Sequence, residues 1–459
     1  MIQPERIHGE LPEKTRFRGD HVLYWMQDAV RSGHNHALEY AIDVANSLNK
    51  PLICVFTLND QFPEAIIRNY TFLCEGLIDA AKRLARRGIS LQIWHGDPSQ
   101  VIPKVAQDAC CVVTDCGPLS VQKFWRGQVR DQLSCPFITV ETGVIVPFST
   151  ASVKEEWSAG TFRPRITRQL PRFLIPLRER SLKISSLGAG KGDVRLTTPE
   201  EMLSGLVIDR SVLPSPIKGG ETEALGALQV FISDYLDRYG ETRHDPAARA
   251  TSGMSPYLHF GHISPLLIAL EVLKARSPGG PAFLEQLIVR RELAFNFVSY
   301  NPGYARYEAA LPSWAMKSLD EHRSDPRPYE YDRADLIASA THDNSWNAMQ
   351  TEMILSGSLH GYFRMYWGKK ILEWSKTPEE AFSNALFLNN RYQLDGRDPN
   401  GFAGVAWCFG KHDRAWQERS VTGKIRYMNE GGLRRKFRMD AYINRIRQMA
   451  ESWGHQPAG

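Results

Sequence analysis

Hydrophobic positions in the first 145 residues come in short, dense runs separated by longer amphipathic segments. The runs are rich in β-branched and aromatic residues and apolar at nearly every position, which is typical of strands buried on both faces of a parallel sheet. They occupy residues 21–27, 51–58, 89–95, 110–115 and 137–142, and helical periods fill 36–49, 69–88, 98–109 and 121–133. This alternation predicts an α/β domain over residues 1–150 with a doubly wound, parallel, five-stranded sheet.

The pattern changes after residue 150. Residues 151–225 are rich in Pro and Gly and have few long periodic segments, so they are predicted to form a long connector over the surface. From about Glu223 onward helical periods follow one another, and several begin at Ser or Thr, as where Pro378 follows Thr377. The sequence therefore predicts a larger all-α domain over residues 226–459.

Composition narrows the class of protein. The chain has 459 residues, 42% of them hydrophobic, and no apolar run approaches the roughly 20 residues that a membrane span needs. Its polar N-terminus is unlike a signal peptide, so we expect a cytoplasmic protein without membrane attachment. Seven scattered cysteines without a CxxC pair indicate reduced thiols and neither a disulfide framework nor a zinc site.

Positive charge is concentrated near the C-terminus. The net charge is only +5, yet residues 411–447 contain eleven Lys or Arg and four acids, a local excess of +7. Trp407 and Trp416 lie among these cations. Cations attract phosphates and indoles stack on bases, as on nucleic-acid-binding surfaces. The pattern leaves an alternative open, in which the cations lie on an ordinary solvated surface and the tryptophans belong to the core.

Two segments of the helical region are candidates for chemistry. In GYFRMYWGKKILEW (361–374), Trp367 and Trp374 leave one helix face about 10.5 Å apart along the axis, either as aromatic core or as redox-active rings. The loop Thr251–Ser255 offers N–H groups and hydroxyls that can wrap a diphosphate, with Arg243 nearby, or can merely cap a helix.

A third candidate is the segment 388–401. Asn389 and Asn390 precede Asp395 in a Gly- and Pro-rich turn, and amides with a carboxylate can bind the edge of a heteroaromatic ring, with Arg364 pairing with Asp395. Local capping by the acids of the turn is the alternative. The first strand lacks a following GxGxxG, so a dinucleotide bound there in the usual way is not expected. A planar ligand at the carboxyl ends of the strands and a ligand-free adapter domain both stay open.

Three stretches carry a family resemblance: GYFRMYWGKKILEWS, LNNRYQLDGRDPNGFAGVAWCFGKHDRAW and GKIRYMNEGGLRRKF. They resemble the photolyase/cryptochrome superfamily, specifically class II cyclobutane pyrimidine dimer photolyases. The resemblance extends from residue 21 to the C-terminal helix, apart from the connector. It implies a monomeric carbon–carbon lyase in which excited FADH⁻ transfers an electron to a flipped-out pyrimidine dimer in UV-damaged DNA. It also implies an N-terminal antenna domain, whose chromophore would be 8-hydroxy-5-deazaflavin or folate.

The resemblance further implies roles for individual residues. The FAD-binding positions, with Asn389 facing flavin N5, are Tyr239, Thr251, Ser252, Gly253, Met254, Ser255, Arg291, Arg364, Asn389 and Asp395. The electron-transfer chain has Trp367 next to the flavin, Trp346 as the more distal, surface-side member, and Trp374 as a further ring. The positions that face the DNA or the dimer are Arg243, His244, Gln286, Arg290, Met365, Trp407, Arg414 and Arg426.

Three positions depart from the family pattern. Gln286 replaces a glutamate that is thought to hydrogen-bond a pyrimidine carbonyl, and an amide cannot supply a proton. His244 stands where Asn is usual, and Arg290 where some relatives have Trp. We therefore expect changes in dimer affinity and repair efficiency more than in flavin binding. The alternative functions are a cryptochrome-type photoreceptor that binds FAD without repair, and a DNA-binding module without catalysis.

Overall fold

The N-terminal region of the computed structural model, which describes residues 2–11, 18–248 and 250–454, is built on one six-stranded sheet. The strands are β1 (Ile7–His8), β2 (His21–Trp25), β3 (Leu52–Leu58), β4 (Ser90–His95), β5 (Ala109–Asp115) and β6 (Phe137–Val140), in the order β1-β6-β5-β2-β3-β4. Strands β2 to β6 pair in parallel, which confirms the five predicted strands. The short β1 pairs antiparallel with β6 and was not predicted, because two residues carry no periodicity.

Four helices follow the strands in the predicted alternation: α1 (His36–Leu48), α2 (Ile67–Arg86), α3 (Pro98–Val105) and α4 (Ser120–Gln132). Asn35 caps α1 by accepting the Leu38 N–H, and Asp97 caps α3 by accepting the Ser99 N–H. Alternate residues of β2 enter different cores, since Val22 and Tyr24 belong to one buried cluster and Leu23 to another. The sheet is therefore covered on both faces, as its sequence indicates.

Strand β2 lies between β3 and β5, where the winding of the sheet reverses. The buried Asp115 carboxylate, at the end of β5, accepts the backbone N–H groups of Gln27, Asp28 and Ala29 at 2.7, 2.5 and 2.6 Å. Burial raises the pKa of Asp115 to about 6. This carboxylate links the carboxyl ends of β5 and β2 by hydrogen bonds. Open α/β sheets usually bind ligands at such a point.

The rest of the chain is helical. The helices are α5 (Phe148–Ala151), α6 (Ala159–Phe173), α7 (Pro199–Met202), α8 (Glu221–Val230), α9 (Tyr239–Thr242), α10 (Ser255–His259), α11 (Pro265–Ala275), α12 (Gly280–Leu284), α13 (Arg291–Tyr300), α14 (Tyr307–Ala310), α15 (Ser313–Glu321), α16 (Arg333–Ile337), α17 (Asn344–Ser356), α18 (Gly361–Trp374), α19 (Pro378–Tyr392), α20 (Pro399–Cys408), α21 (Glu430–Lys436) and α22 (Met439–Ser452). The predicted helical C-terminal region is confirmed. Among the described residues, no helix combines the length and apolarity needed to cross a bilayer.

Helix α6 differs from the expectation for residues 151–225, which predicted few periodic segments there. It runs for 15 residues although it contains Pro164 and Pro171, which argue against a helix in a sequence. Phe162, Ile166 and Phe173 are fully buried, and this apolar face explains why the helix forms. Farther along, residues 192–194 run beside the edge strand β4, where the Val194 N–H donates to the Ile93 carbonyl at 3.1 Å.

The chain divides into two compact units, each discontinuous in sequence. The first comprises Met1–Lys154, Phe162–Asp234 and Ser252–Glu292, and includes the sheet. The second comprises Glu155–Thr161, Tyr235–Thr251 and Leu293–Gly459, and includes α14 to α22.

Candidate functional site

A row of three tryptophans lies in the second unit. The Trp346 and Trp367 rings stack with their centroids 6.4 Å apart and their planes 3° from parallel, and Trp374 meets Trp346 edge-on at 5.8 Å. Trp346, from α17, thus links the two tryptophans of α18. It is 0% exposed, so Trp346 does not itself reach the surface. Its burial follows from its place between rings of the neighbouring helix.

Hydrogen bonds and further rings extend this row. The Trp367 indole N–H donates to Gln350 Oε1 at 2.8 Å, and the Trp346 indole N–H donates to the Trp367 carbonyl at 3.0 Å. On the other side Trp374 packs edge-on against His342 at 5.1 Å, and His342 stacks on Tyr329, which is 47% exposed. Closely spaced aromatic rings therefore connect the buried Trp367 with the surface of this unit.

The turn after α19 places a carboxylate and several amides together. Arg364 Nη2 lies 2.9 and 3.0 Å from the two carboxylate oxygens of Asp395. Asn389 is 4% exposed, and its amide donates to Asn390 Oδ1 at 3.2 Å. Asp398, in contrast, caps α20 by accepting the Asn400 N–H. The two acids of this turn thus have different roles, since Asp395 pairs with Arg364 and Asp398 caps a helix.

The side chain of Gln393 tests whether this region suits a heteroaromatic cofactor. Gln393 is 0% exposed, yet neither its amide nitrogen nor its amide oxygen makes a hydrogen bond to another described residue. A buried amide normally has partners, because leaving it unpaired costs free energy. Together with Asn389, Asp395 and Arg364, this amide supplies the donors and acceptors that the edge of a flavin ring requires, so the residues present fit FAD.

Cations and indoles alternate in a second arrangement in this unit, which we call the cation–indole ladder. Lys369 Nζ lies 4.8 Å from the Trp407 ring centroid, and the Arg426 guanidinium lies 5.4 Å from that ring and 4.1 Å from the Trp416 ring. Arg414 lies 5.0 Å from the Trp416 ring. The ladder leads from buried Lys369 to exposed Arg414, so it presents aromatic and cationic groups at a surface.

Two members of the ladder are held by polar contacts. Lys369 is 4% exposed, its ammonium donates to the Cys408 carbonyl at 2.8 Å, and burial lowers its pKa to about 8. Arg426 donates to both carboxylate oxygens of Asp413 at 2.9 and 3.2 Å. These contacts fix the two cations beside the Trp407 ring.

The other proposed site residues of the second unit differ in exposure. Tyr239 is 9% exposed, and burial raises its pKa in spite of the neighbouring Arg243 guanidinium. His244 is exposed, and partial burial lowers its pKa. Thr251 is exposed, and Met365 is half-buried on α18 between Arg364 and Tyr366.

The loop residues Ser252–Ser255 belong to the first unit. Gly253 has φ +65°, a conformation that favours glycine, and the Met254 N–H donates to Ser252 Oγ at 3.3 Å. Met254 is 1% exposed, while Ser255 is exposed at the start of α10.

Gln286, Arg290 and Arg291 also lie in the first unit, at a π-helical segment, Glu285–Arg290, that leads into α13. Gln286 is half-buried, and the exposed Arg290 forms an ion pair with Glu285 at 3.4 Å. Arg291 is 7% exposed and donates to the Gly143 carbonyl at 2.9 Å.

The carboxyl end of β2 is the place in the sheet where the sequence leaves a planar ligand open. Trp25 and Met26 are fully buried there. Gln27 accepts from Arg126 at 2.7 Å, and Asp28 accepts from Gln122 at 2.8 Å. The Gln27 and Asp28 oxygens are thus engaged within the first unit, whereas Trp25 Nε1 and Gln27 Nε2 have no hydrogen-bond partner among the described residues.

Comparison with known proteins adds evidence from sequence. Residues 22–182 match the family model described as DNA photolyase. The chain is 51% identical to a deoxyribodipyrimidine photo-lyase of Methanothermobacter thermautotrophicus, and the match covers 98% of this chain and 100% of that protein.

Solved structures with low sequence identity share the fold. A cryptochrome of Synechocystis superposes with a TM-score of 0.71 at 18% identity, covering 96% of this chain and 95% of that one. An archaeal photolyase from Sulfolobus tokodaii, solved with two FAD molecules, superposes with a TM-score of 0.68 at 16% identity, covering 93% of this chain and 89% of that one. At such identities the likeness concerns the fold alone.

Three residues of the site were missed at the level of sequence. The sequence does not indicate a role for Gln350 or Gln393, because a single glutamine in or beside a predicted helix is common. Lys369 stands in the aromatic segment 361–374, but its burial beside Trp407 depends on packing between α18 and α20.

Proposed function

The chain belongs to the DNA photolyase family, and from this premise we propose that it repairs cyclobutane pyrimidine dimers in UV-damaged DNA by light-driven electron transfer. The observation that carries the proposal is the buried row of Trp367, Trp346 and Trp374 in a chain that matches a photo-lyase over its whole length. A structural core alone would not require such a row to reach the surface. Repair of this kind splits two carbon–carbon bonds and is a lyase reaction.

FAD, when bound, supplies the light-excited electron donor. Arg364, Asp395 and Gln393 would hold the edge of the flavin ring, and Asn389 would face its N5 with a neutral amide. Tyr239, Arg291 and the loop Thr251–Ser255 would contact the remainder of the cofactor. Support comes from the polar character and burial of Asn389 and Gln393, which suit a ligand inserted among helices.

The tryptophan row would return oxidised FAD to its reduced form with electrons taken up at the surface. Trp367 would give up the first electron, Trp346 and then Trp374 would replace it over short steps, and a reductant in solution would replace the electron that Trp374 loses. The Trp367 and Trp346 indole N–H groups donate to the Gln350 side-chain oxygen and the Trp367 carbonyl oxygen. These oxygens carry partial negative charge, so they favour positive charge on the two indole rings.

The lesion would have to leave the duplex, since the chemistry requires direct access to the dimer. Trp407 and Met365 would pack on the flipped-out dimer, while Arg414, Arg426 and Arg243 would contact the surrounding phosphates. Gln286, His244 and Arg290 would face the DNA with the altered chemistry described above. The exposure of Arg414 and Arg290 and the half-burial of Trp407 support this placement.

The proposal also covers organisation and location. We take residues 1–150 as an antenna domain, 151–225 as a connector and 226–459 as the FAD-binding domain, with 8-hydroxy-5-deazaflavin or folate as antenna chromophore. We propose that the protein acts as a monomer. Seven free cysteines support a reducing, cytoplasmic location.

One experiment tests the proposal directly. The absorption spectrum of the purified protein should show a flavin, and blue light should restore a DNA strand that carries a single defined thymine dimer. The same sample kept in the dark is the control. A colourless protein that refuses added FAD would contradict the proposal, and a flavin-bound protein without repair would instead favour the photoreceptor alternative.

A further inference from the structure

We propose that the Lys369 ammonium protects Trp407 from one-electron oxidation, so that the row of Trp367, Trp346 and Trp374 gives up electrons and the DNA-facing indole does not. This inference rests on the proposed function, in which light generates an oxidant next to several tryptophans. Its physical basis is the difference in charge around these indoles.

Lys369 forms no salt bridge with a carboxylate among the described residues, although the Asp413 carboxylate acts on it from a greater distance. Its ammonium lies 4.8 Å from the Trp407 ring centroid, and its hydrogen-bond acceptor is the neutral Cys408 carbonyl. Within the part of the chain that the structure describes, no carboxylate lies in ion-pair range of Lys369. Because the residue is only 4% exposed, water screens this charge poorly.

Neighbouring cations differ in this respect. Lys370, the next residue of α18, lies 5.7 Å from the Trp374 ring, but Glu373 Oε2 is 2.6 Å from its ammonium. Arg426, the second cation near Trp407, is neutralised by both oxygens of Asp413. The net positive charge beside Trp407 therefore comes from Lys369.

Trp346 and Trp367 have the opposite surroundings. Their indole N–H groups donate to neutral oxygens, and among the described residues no cation lies over either ring. Removing an electron from an indole creates a positive charge, which a nearby ammonium opposes and a hydrogen-bond acceptor favours. The electron hole should therefore stay on the buried row, and Trp407 should remain chemically intact for binding.

An external oxidant tests this inference without flavin or repair activity. Ruthenium(III) tris-bipyridine, generated by a light flash and a quencher, takes one electron from an indole and becomes ruthenium(II). The oxidised indole loses its Nε1 proton to water and then adds dioxygen, and peptide mass spectrometry locates the oxygenated residue. The measured quantity is the oxidation rate of Trp407 divided by that of Trp157, an exposed tryptophan of the same unit.

The variants are Lys369→Met, which removes the charge at similar volume, and Lys369→Arg, which retains it. We expect Lys369→Met to raise the Trp407-to-Trp157 ratio by about tenfold, and Lys369→Arg to keep it within about twofold of the wild-type value. A ratio that Lys369→Met leaves within about twofold, or that both variants raise equally, would overturn the inference. Neither result depends on whether the protein repairs DNA.

The wild-type protein offers a second measurement if Lys369→Met does not fold. The charged and titratable groups around Lys369 are Arg426, Asp413 and the Cys408 thiol, whose pKa burial raises to about 11. From pH 7 to about pH 9 Lys369 loses its proton, while the Asp413 carboxylate stays ionised and the Cys408 thiol stays protonated. The Trp407-to-Trp157 ratio should rise over this range, and a constant ratio would contradict the inference.

Discussion

The tryptophans of this protein differ most in the groups that surround them. Trp346 and Trp367 are both fully buried, stacked, and hydrogen-bonded to neutral oxygens, whereas Trp407 is half-buried beside a cation. Burial alone would suggest that the first two are ordinary core residues. Their parallel stacking and the continuation through Trp374 to the surface instead suit the transfer of electrons, which the following substitution tests.

Trp367→Phe should block photoreduction of oxidised FAD in the purified protein, because phenylalanine is much harder to oxidise than tryptophan. Repair by chemically reduced protein should stay nearly intact, since the row only refills the electron donor. Flavin absorption under blue light and a separate repair assay measure the two effects. Trp157→Phe, an exposed tryptophan outside the row, is the matched control. Loss of both activities in Trp367→Phe would argue against the assigned role.

Trp407→Ala should weaken binding of dimer-containing DNA by roughly 1–3 kcal/mol, the contribution of one stacked base. The reason is the loss of the ring that would pack on the flipped-out dimer. Fluorescence anisotropy with DNA that contains one dimer measures the dissociation constant, and undamaged DNA of the same sequence serves as the control. An unchanged dissociation constant for the damaged DNA would refute this placement of Trp407.

Glu292 provides a pH-dependent test of stability in the first unit. Burial raises its pKa to about 7, although its carboxylate accepts the backbone N–H groups of Ile145 and Val146. The folded state therefore holds a proton that the unfolded chain releases above its ordinary pKa near 4.5. The contribution of this proton to stability is complete below about pH 4.5 and is lost as the pH rises through about 7.

Glu292→Gln should therefore become more stable relative to the wild type as the pH rises from about 5 to about 8, by up to roughly 3 kcal/mol. Urea unfolding at several pH values measures this difference. A constant difference over that range would show that Glu292 is already ionised in the folded protein.

Sequence alone could name candidate residues for the site but not their environments. Asn389, Asp395 and Arg364 stand in recognisable motifs, and the structure brings Arg364 and Asp395 into an ion pair. The acceptor Gln350 and the buried Lys369 acquire their importance only from packing between helices that are distant in sequence. The resemblance implies a distal, surface-side place for Trp346 in the row, but which neighbouring helix covers the ring depends on packing that the sequence does not show.

At the scale of elements, strands with dense apolar runs could be predicted well, since burial on both faces leaves a strong signal. Helix α6 could not, because its two prolines argue against a helix while its buried face depends on tertiary contacts. Strand β1 has only two residues, which is too few to show the alternation of apolar and polar positions that identifies a strand. The connector was predicted as surface chain, yet part of it covers the edge of the sheet at β4, a position that often needs protection from unwanted pairing.

Gly192→Ala tests the close approach of the connector to β4. A Cβ atom at this position would lie 1.9 Å from the Ile93 carbonyl oxygen, a backbone atom that cannot move aside without disturbing the strand. We expect destabilisation of roughly 1–3 kcal/mol, measured by urea unfolding. Gly205→Ala is the matched control, because a Cβ atom there has no neighbour within 4 Å. Equal stability of the two variants would show that the connector does not pack against β4 as described.

At the scale of the whole molecule, charge pairing decides how the basic C-terminal region can act. Of its eleven cations, five form ion pairs with carboxylates: Lys411, Lys424, Arg426, Arg434 and Arg445. The six others, Arg414, Arg419, Arg435, Lys436, Arg438 and Arg447, have no such pair among the described residues. The excess of +7 counted from the sequence does not distinguish the paired cations from the unpaired ones, because the sequence does not show which cations carboxylates neutralise.

The unpaired cations should dominate the salt dependence of binding to undamaged duplex DNA. If each of the six neutralises one phosphate, the logarithm of the binding constant falls with the logarithm of salt concentration at a slope of about −5, against about −10 for all eleven. Arg435→Gln should reduce the slope by about 1. Its sequence neighbour Arg434, which is paired with Glu430 and Asp440, provides the control, and Arg434→Gln should leave the slope nearly unchanged. Equal effects of the two substitutions would mean that DNA binding breaks the ion pairs of Arg434, and that total charge rather than pairing sets the affinity.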